Sequence, residues 1–491
     1  MPRRWWTLVA VSLATFMTYL DNNIVNVAIP TIQRSLHLSV AGLEWVVSGY
    51  VLVFAGLMLV GGRLADLYGR RRVFLIGLTV FTLSSLAAGL ASNGGMLIAF
   101  RAVQGLGAAL LVPTTLAIIL ASFEDTRERT RAIGIWAAIS ALALAFGPLI
   151  GGFVSQNWHW GWIFFINVPV GIVTFVMAVA WMTESHGQSA SRRLDVPGLL
   201  SSAVALFALT YALIEGHTKG WTSAQILGSF ALAAVAVLVF TVIEARSAQP
   251  MVQMSLFRSR VFSGGTLVWM MWAFGIFGIY FFTSIYLQSV LGFSPVKAGL
   301  AFLPMAVVIA IFATISEQVA ARISAHWTIA LGLVLMVGGL FLFARQDMHA
   351  TYLGLMPGFL LFGAGAGLMQ APLTNAILGS MPSDRSGVAS ALLNASRELA
   401  GLLGITVIGA VLSSREGAAL RSGVAPARAF LDGYHAGLAV TIALIGAGIV
   451  VVMVALRRTA RPDIPSAPVP VEQIAAAAQQ TAIEGAPLAG G

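Results

Sequence analysis

The chain has 491 residues, of which 58% are hydrophobic, only 10% are charged and 51 are glycine, and its mean hydropathy is +0.88. Soluble domains carry about a quarter charged residues, so these figures exclude a soluble enzyme and read as an integral, all-α membrane protein. The net charge of +9 comes from 26 Arg and two Lys scattered between apolar runs, which argues against a nucleic-acid partner, and the absence of Cys together with the spacing of the His residues argues against a metal centre.

Runs long enough to cross ~30 Å of hydrocarbon fall near 7–30, 43–62, 73–92, 95–121, 132–154, 161–182, 196–215, 224–243, 262–287, 297–320, 327–344, 351–371, 387–412 and 434–456. They predict fourteen transmembrane helices. The opening "MPRRWW" is followed by no small-residue cleavage site, so the first run is read as a retained helix and not a signal peptide. With the N-terminus inside, 19 of the 28 Lys and Arg fall on the inner side, seven on the outer and two within spans, which places both termini in the cytoplasm. Longer inner connections at 183–195 and 244–261 set helices 7 and 8 apart. The expected architecture is a six-helix bundle over 1–182, a linker with two extra helices over 183–261, a second six-helix bundle over 262–456 and a disordered cytoplasmic tail over 457–491.

Helix 1 carries "YLDNNIVNVAIP" (19–30), with Asp21, Asn22 and Asn26 inside an apolar run. A carboxylate at that depth must face protein or water. After helix 2 comes "GGRLADLYGRRRV" (61–73), with Asp66, Arg70 and Arg71. Helix 4 begins "MLIAFRAVQGLGAALLVP" (96–113), in which Arg101, Gln104 and Gly105 share one face. Counted from the outer helix ends, Asp21 lies ~13 Å down and Arg101 ~9 Å, a match that lets acid and guanidinium pair. Two plainer alternatives remain: Asp21 caps a packing network of Asn side chains, and Arg101 snorkels to the surface. Helix 5 contains "AFGPLIGGF" (145–153), where Gly147 and Gly151 permit close backbone contact, with Gly152 beside them, and Pro148 favours a kink. Helix 9 is aromatic, with Trp269, Trp272, Phe274, Tyr280 and Phe281; these either line a lipophilic pocket or pack. In helix 13, Asn394, Arg397 and Glu398 form a candidate second-half polar site, and since sequence neighbours do not share a helix face, Arg397 and Glu398 are expected to find separate partners.

The loop 61–73 resembles the G-x-L-a-D-x-x-G-R-R/K signature of the major facilitator superfamily. Residues 101–108 resemble its second signature, and 143–152 its antiporter signature, with Ala143 in place of the first glycine. The stretches 158–171, 194–198, 284–304 and 386–404 are similar to the fourteen-helix drug–proton antiporters of that superfamily, with Gly161 where Arg is usual and Glu398 where Gln is common. The resemblance implies a major facilitator fold of two six-helix bundles plus two central helices. It also implies efflux of drugs or antibiotics by alternating access, with Asp21 as the proton-coupling acid, Arg101 tuning it, and Asn22, Asn26 and Gln104 lining a polar path. Asp66 would act as a gate with Arg70, Arg71 and the N-terminus of helix 13, and Gly147, Pro148, Gly151 and Gly152 as the antiporter kink.

The chain shows no phosphate-binding loop and no catalytic elbow, so a transporter is expected rather than an enzyme, with a proton gradient and no cofactor as its energy source. The expected partners are protons, membrane lipid and a lipophilic small molecule, cationic ones included, and the expected form is a monomer in the cytoplasmic membrane of a bacterium. A dedicated exporter of one natural product or lipid, or a proton-coupled importer, remains open.

Overall fold

The computed structural model describes residues 2–457 apart from 124, 188–194, 248–249, 251, 253 and 382–385, and apart from the side chains of 126, 130, 137–138, 141, 144–145, 386–388 and 391. The described residues form helices α1 (Arg3–Leu36), α2 (Val40–Tyr68), α3 (Arg70–Gly89), α4 (Gly94–Ser122), α5 (Thr126–Asn157), α6 (Trp162–Trp181), α7 (Val196–Lys219), α8 (Ala224–Arg246), α9 (Arg260–Val290), α10 (Pro295–Ile323), α11 (Ala325–Ala344), α12 (Tyr352–Gly379), α13 (Ser386–Arg421) and α14 (Pro426–Ala455). Thirteen of them are long and apolar enough to cross a membrane; α5 is not among the thirteen. Several run well past their predicted ends: α1 continues six residues beyond Pro30 and α13 reaches Arg421. The tail beyond Arg457 lies outside the described residues.

Hydrocarbon offers no hydrogen bonds to a helix end, and eight of these helices start on a side-chain cap. Ser39, Asn93, Asp125, Asp195, Ser223, Ser259, Ser294 and Thr351 each accept from a backbone N–H three residues on, a contact typically worth ~1 kcal/mol. Gly69 alone joins α2 to α3, at φ +103°, a conformation that costs other residues a Cβ clash.

Helices α1–α6 pack as one bundle, through α1 on α5 and α6 and through α4 on α2 and α3, and α9–α14 pack as a second. The bundles meet where α5 lies on α10, α2 on α13 and α1 on α9. Helix α7 touches both bundles, at α2 and at α13, and carries α8 on its outer flank. The two extra helices are therefore joined to the bundle interface and not set aside as a free linker.

Both ends of the described chain lie on one face, called here the terminal face. Trp5 packs on Phe123 at the end of α4, Arg3 bonds the Trp181 carbonyl at the end of α6, and Gly264 near the start of α9 packs on Ala455. The described hydrogen bonds between the bundles near the helix ends lie at the opposite, far face. Gln288 Nε2 donates to Val27 O at 2.9 Å, and Val296 N donates to Gln156 Oε1 at 3.3 Å.

Candidate functional site

Asp21 and Arg101 are both fully buried and form an ion pair, with Arg101 Nη1 2.5 Å from Asp21 Oδ2. The other carboxylate oxygen, Oδ1, accepts from Gln104 Nε2 at 2.8 Å and Asn167 Nδ2 at 2.7 Å. Gln104 Nε2 also donates to Ser85 Oγ at 2.7 Å, and Gln104 Oε1 accepts from Arg101 Nη1 at 2.7 Å. The guanidinium is held further by the Val46 carbonyl (3.3 Å) and the face of Tyr50, whose ring centre is 4.3 Å from Arg101 Cζ. Five helices, α1, α2, α3, α4 and α6, thus gather around one carboxylate. The i, i+3 spacing of Arg101 and Gln104 turns both toward α1, as their sequence spacing predicts. Asn167 reaches the acid because α6 breaks at Ile166, so its second segment starts at Asn167.

Ser85, Asn167 and Tyr50 were not among the residues expected here. The faintest signal was Asn167, a polar residue shortly before Pro169 in an apolar run. Conversely, Asn22 and Asn26 do not bond to Asp21. Asn22 is half-buried, and Asn26 is buried with its Oδ1 unpartnered among the described residues.

The second-half site corrects one expectation. Arg397 and Glu398 bond each other, with Nη2 2.5 Å and Nε 3.0 Å from Glu398 Oε1. Adjacent residues project about 100° apart around a helix, but the long arginine stem folds back across that angle. Arg397 Nη2 also donates to Tyr19 Oη in α1 at 3.1 Å, two residues before Asp21. Glu398 is buried, and its Oε2 has no partner among the described residues. Asn394 bonds only the Ser390 carbonyl of its own helix. Tyr50 faces Arg101 and Tyr19 faces Arg397, at 4.3 and 5.4 Å from ring centre to Cζ, so a tyrosine stands against the guanidinium of each ion pair.

At the terminal face, Asp66 Oδ1 accepts from Arg70 Nη2 (2.9 Å) and Nε (3.1 Å), and Arg70 Nη1 reaches the Ala117 carbonyl of α4 at 3.1 Å. Arg71 bonds the Val179 carbonyl of α6 at 2.8 Å. The segment after α6 straps this loop. Ser185 O accepts from Arg70 N (2.9 Å), Gly187 N donates to Asp66 O (3.1 Å), and the Glu184 carboxylate accepts from Arg71 N (2.9 Å) and Arg72 N (3.2 Å). A carboxylate there answers the partial positive charge of the α3 N-terminus. The start of α13 expected opposite Asp66 follows residues 382–385, outside the described set.

Of the signature glycines of α5, Gly147 and Gly151 face α1 of the same bundle and Gly152 faces α10 across the bundle interface. A Cβ on Gly147 would stand 2.6 Å from Asn23 Cβ and one on Gly151 2.5 Å from the Ile24 carbonyl oxygen, both in α1. One on Gly152 would stand 2.9 Å from the Pro295 carbonyl carbon of α10, and Gly299 of α10 is equally tight on the Pro148 carbonyl carbon, also 2.9 Å. The expected antiporter kink is thus a surface on which α5 meets α1 and α10 backbone to backbone. On α9, Trp269, Trp272, Phe274, Tyr280 and Phe281 are all buried. Trp269 stacks on Trp272, and Tyr280 on Phe302.

Residues 11–405 match the family model of the Major Facilitator Superfamily. The chain is 38% identical over 408 residues to the multidrug resistance protein Stp of Mycobacterium tuberculosis, covering 83% of this chain and 76% of that protein. It is 34% identical over 447 residues to the puromycin resistance protein pur8 of Streptomyces alboniger, covering 90% and 88%. It is also 34% identical over 419 residues to the tetracenomycin C resistance and export protein of Streptomyces glaucescens, covering 84% and 77%. Among solved structures, a bacterial homolog of the human lysosomal transporter Spinster is similar in fold, with a TM-score of 0.67, 17% identity and coverage of 93% and 98%.

Proposed function

The chain belongs to the major facilitator superfamily and is one of its multi-pass membrane transporters, and from that premise we propose that it exports drug- or antibiotic-like molecules across a bacterial cytoplasmic membrane in exchange for protons. On this reading α5 is the fourteenth span, the arginine-rich terminal face is cytoplasmic, and the chain works as a monomer with no cofactor beyond the proton gradient. Relatives named for multidrug, puromycin and tetracenomycin resistance support the substrate class.

The observation that carries the proposal is the Asp21–Arg101 pair. Charges are rare inside spanning segments and mark ion or proton pathways there. When a proton neutralises Asp21, Arg101 is not stranded, because Gln104 Oε1, the Val46 carbonyl and the Tyr50 ring already hold it. Its Nη2, buried with no partner among the described residues, is free to seek a new acceptor. The acid can thus exchange Arg101 for a proton as the bundles rock about the site. On this reading the contacts between the bundles at the far face make the state described the one that loads from the cytoplasm. The buried aromatics of α9, with Trp272 Nε1 and Tyr280 Oη unpartnered among the described residues, suit a lipophilic ligand, and their rings favour a cationic one.

The test is direction. In inside-out vesicles, an acid interior should drive accumulation of a fluorescent cationic dye, and collapsing the gradient should release it. Dye that leaves the vesicles under the same gradient would make the chain an importer. A folded chain that moves none of a panel of dyes would point to a dedicated single-product exporter.

The terminal-face loop supplies a second expectation. Asp66→Ala removes the carboxylate by which the end of α2 holds Arg70 at the start of α3, while leaving the membrane core untouched. Initial uptake rates should fall severalfold with dye binding unchanged, and unchanged rates would remove Asp66 from the gate.

A further inference from the structure

Glu44 lies one turn into α2 and is 1% exposed. It is buried at the junction of the two bundles. Gly409 of α13 faces it so closely that a Cβ there would stand 2.5 Å from Glu44 Cδ and 2.8 Å from Oε2. No hydrogen bond or ion pair among the described residues reaches its carboxyl group. Taking a carboxylate out of water costs several kcal/mol unless a cation or a proton neutralises it.

The described cations on the helices around α2 are engaged elsewhere or lie toward the far face: His217 of α7 packs on Gly417 of α13, two turns beyond Gly409, and Arg34 of α1 is exposed and bonds the Pro30 carbonyl of its own helix. On α7, Glu215 is a second carboxylate near enough to repel Glu44; it holds Trp45 Nε1 at 3.0 Å and lies 3.8 Å from Lys219. On α4, Arg101 is bound to Asp21, the only charged group of α1 near its middle. On α13, Arg397 is bound to Glu398 and Tyr19, and Arg415 and Glu416 lie beyond Gly409 toward the far face. The arginines of α3 sit at the terminal face with Arg70 on Asp66. That leaves a proton.

We propose that Glu44 is a second proton-binding site of this transporter, one that seals the far face: it holds a proton while α2 is closed on α13 and gives it up to the far compartment when they part. A cavity of about 250 Å³ at the junction of α2, α7 and α13, lined by Ser39, Ala41, His217, Ser413 and Glu416, begins one turn from Glu44 and offers polar groups along which the proton travels. Helix α7 gains a role as the wall of this channel. Low pH on the far side then favours the closed gate and high pH the open one, with the ratio of the two changing by up to about tenfold per pH unit for a single proton. The inference rests on the alternating-access reading above but not on Asp21 being the coupling acid.

The chain contains no cysteine, so spin labels on Ser92→Cys and His349→Cys, exposed at the far ends of the two bundles, report the gate without competing sites. In lipid nanodiscs, pulsed electron resonance should show the shorter distance gaining population as pH falls. Glu44→Gln should hold the shorter distance at every pH, Glu44→Asp should keep the response, and Asp21→Asn should keep it too. A response that survives in Glu44→Gln, or that vanishes in Glu44→Gln and Glu44→Asp alike, overturns the assignment. Loss of the response in Asp21→Asn alone would overturn it as well, transferring the switch to that acid. A distance that never changes, with pH or with dye, would instead overturn alternating access and this proposal together.

Discussion

Asp21→Asn should reduce gradient-driven dye uptake to the level of vesicles without the protein. The substitution keeps size and shape, and its carbonyl can still accept from Gln104 and Asn167, which donate to Asp21 Oδ1 in the native site. It cannot carry a proton, and it leaves Arg101, fully buried, without its counter-charge. Breaking a buried pair from one side typically costs ~3–5 kcal/mol, so a loss of uptake alone does not separate coupling from folding. Two further measurements do. Counterflow, the exchange of labelled for unlabelled dye with no gradient, needs no net proton movement and should persist in folded Asp21→Asn. The double variant Asp21→Asn/Arg101→Gln removes both charges and should recover thermal stability toward wild type while still failing to accumulate dye. Gradient-driven uptake at the wild-type rate in Asp21→Asn would dismiss Asp21 as the coupling acid. Failure of counterflow in a folded protein would make the residue part of the substrate route.

That the pair could be anticipated from sequence at all follows from how little a spanning helix leaves free. An acid in an apolar run must be answered, and Arg101 with Gln104 one turn on gave the only answer at a similar depth in the same bundle. The depth estimate ended α1 at Pro30, whereas the helix continues to Leu36, and the pair forms nonetheless. Ser85, Asn167 and Tyr50 could not be found the same way. Each is a single polar residue on a different helix, and nothing periodic marks which face of α3, α6 or α2 looks at α1. Asn22 and Asn26 show the converse, since adjacency to Asp21 says nothing about direction when each residue turns about 100°.

The two bundles were legible because hydropathy marks the runs long enough to span. The docking of α7 on both bundles was not, because it depends on which helix faces the folded core leaves exposed. Glu44 was invisible for the same reason. Near the start of a helix an acid reads as a solvated end, and only the approach of α13, permitted by Gly409, encloses it. Arg397 and Glu398 failed a face rule that holds for Cβ directions and not for a flexible guanidinium.

The second large effect should come from a residue with no polar chemistry. Gly152→Val would place a branched side chain where α10 passes, with Pro295 C and Val296 Cα already 2.9 and 3.1 Å from an ideal Cβ. Those are backbone atoms, so no rotamer change relieves the clash and α5 must part from α10 at the far face. Overpacking of this kind typically costs ~1–3 kcal/mol, and each 1.4 kcal/mol is about a factor of ten in an equilibrium. The cost applies only to the state in which the bundles touch there, since in the open state the same side chain meets no opposing helix. The closed-far-face population should therefore fall about tenfold or more, and with it the rate of loading from the cytoplasm. In a Gln156→Cys/Lys297→Cys background, placed across the same contact, disulfide formation should drop in step. Gly134→Ala on the same helix, where a Cβ meets nothing within 4 Å, should leave both readouts at wild type. Normal uptake in Gly152→Val would mean that the α5–α10 contact plays no part in closing the far face and that the seal lies at α2 and α13.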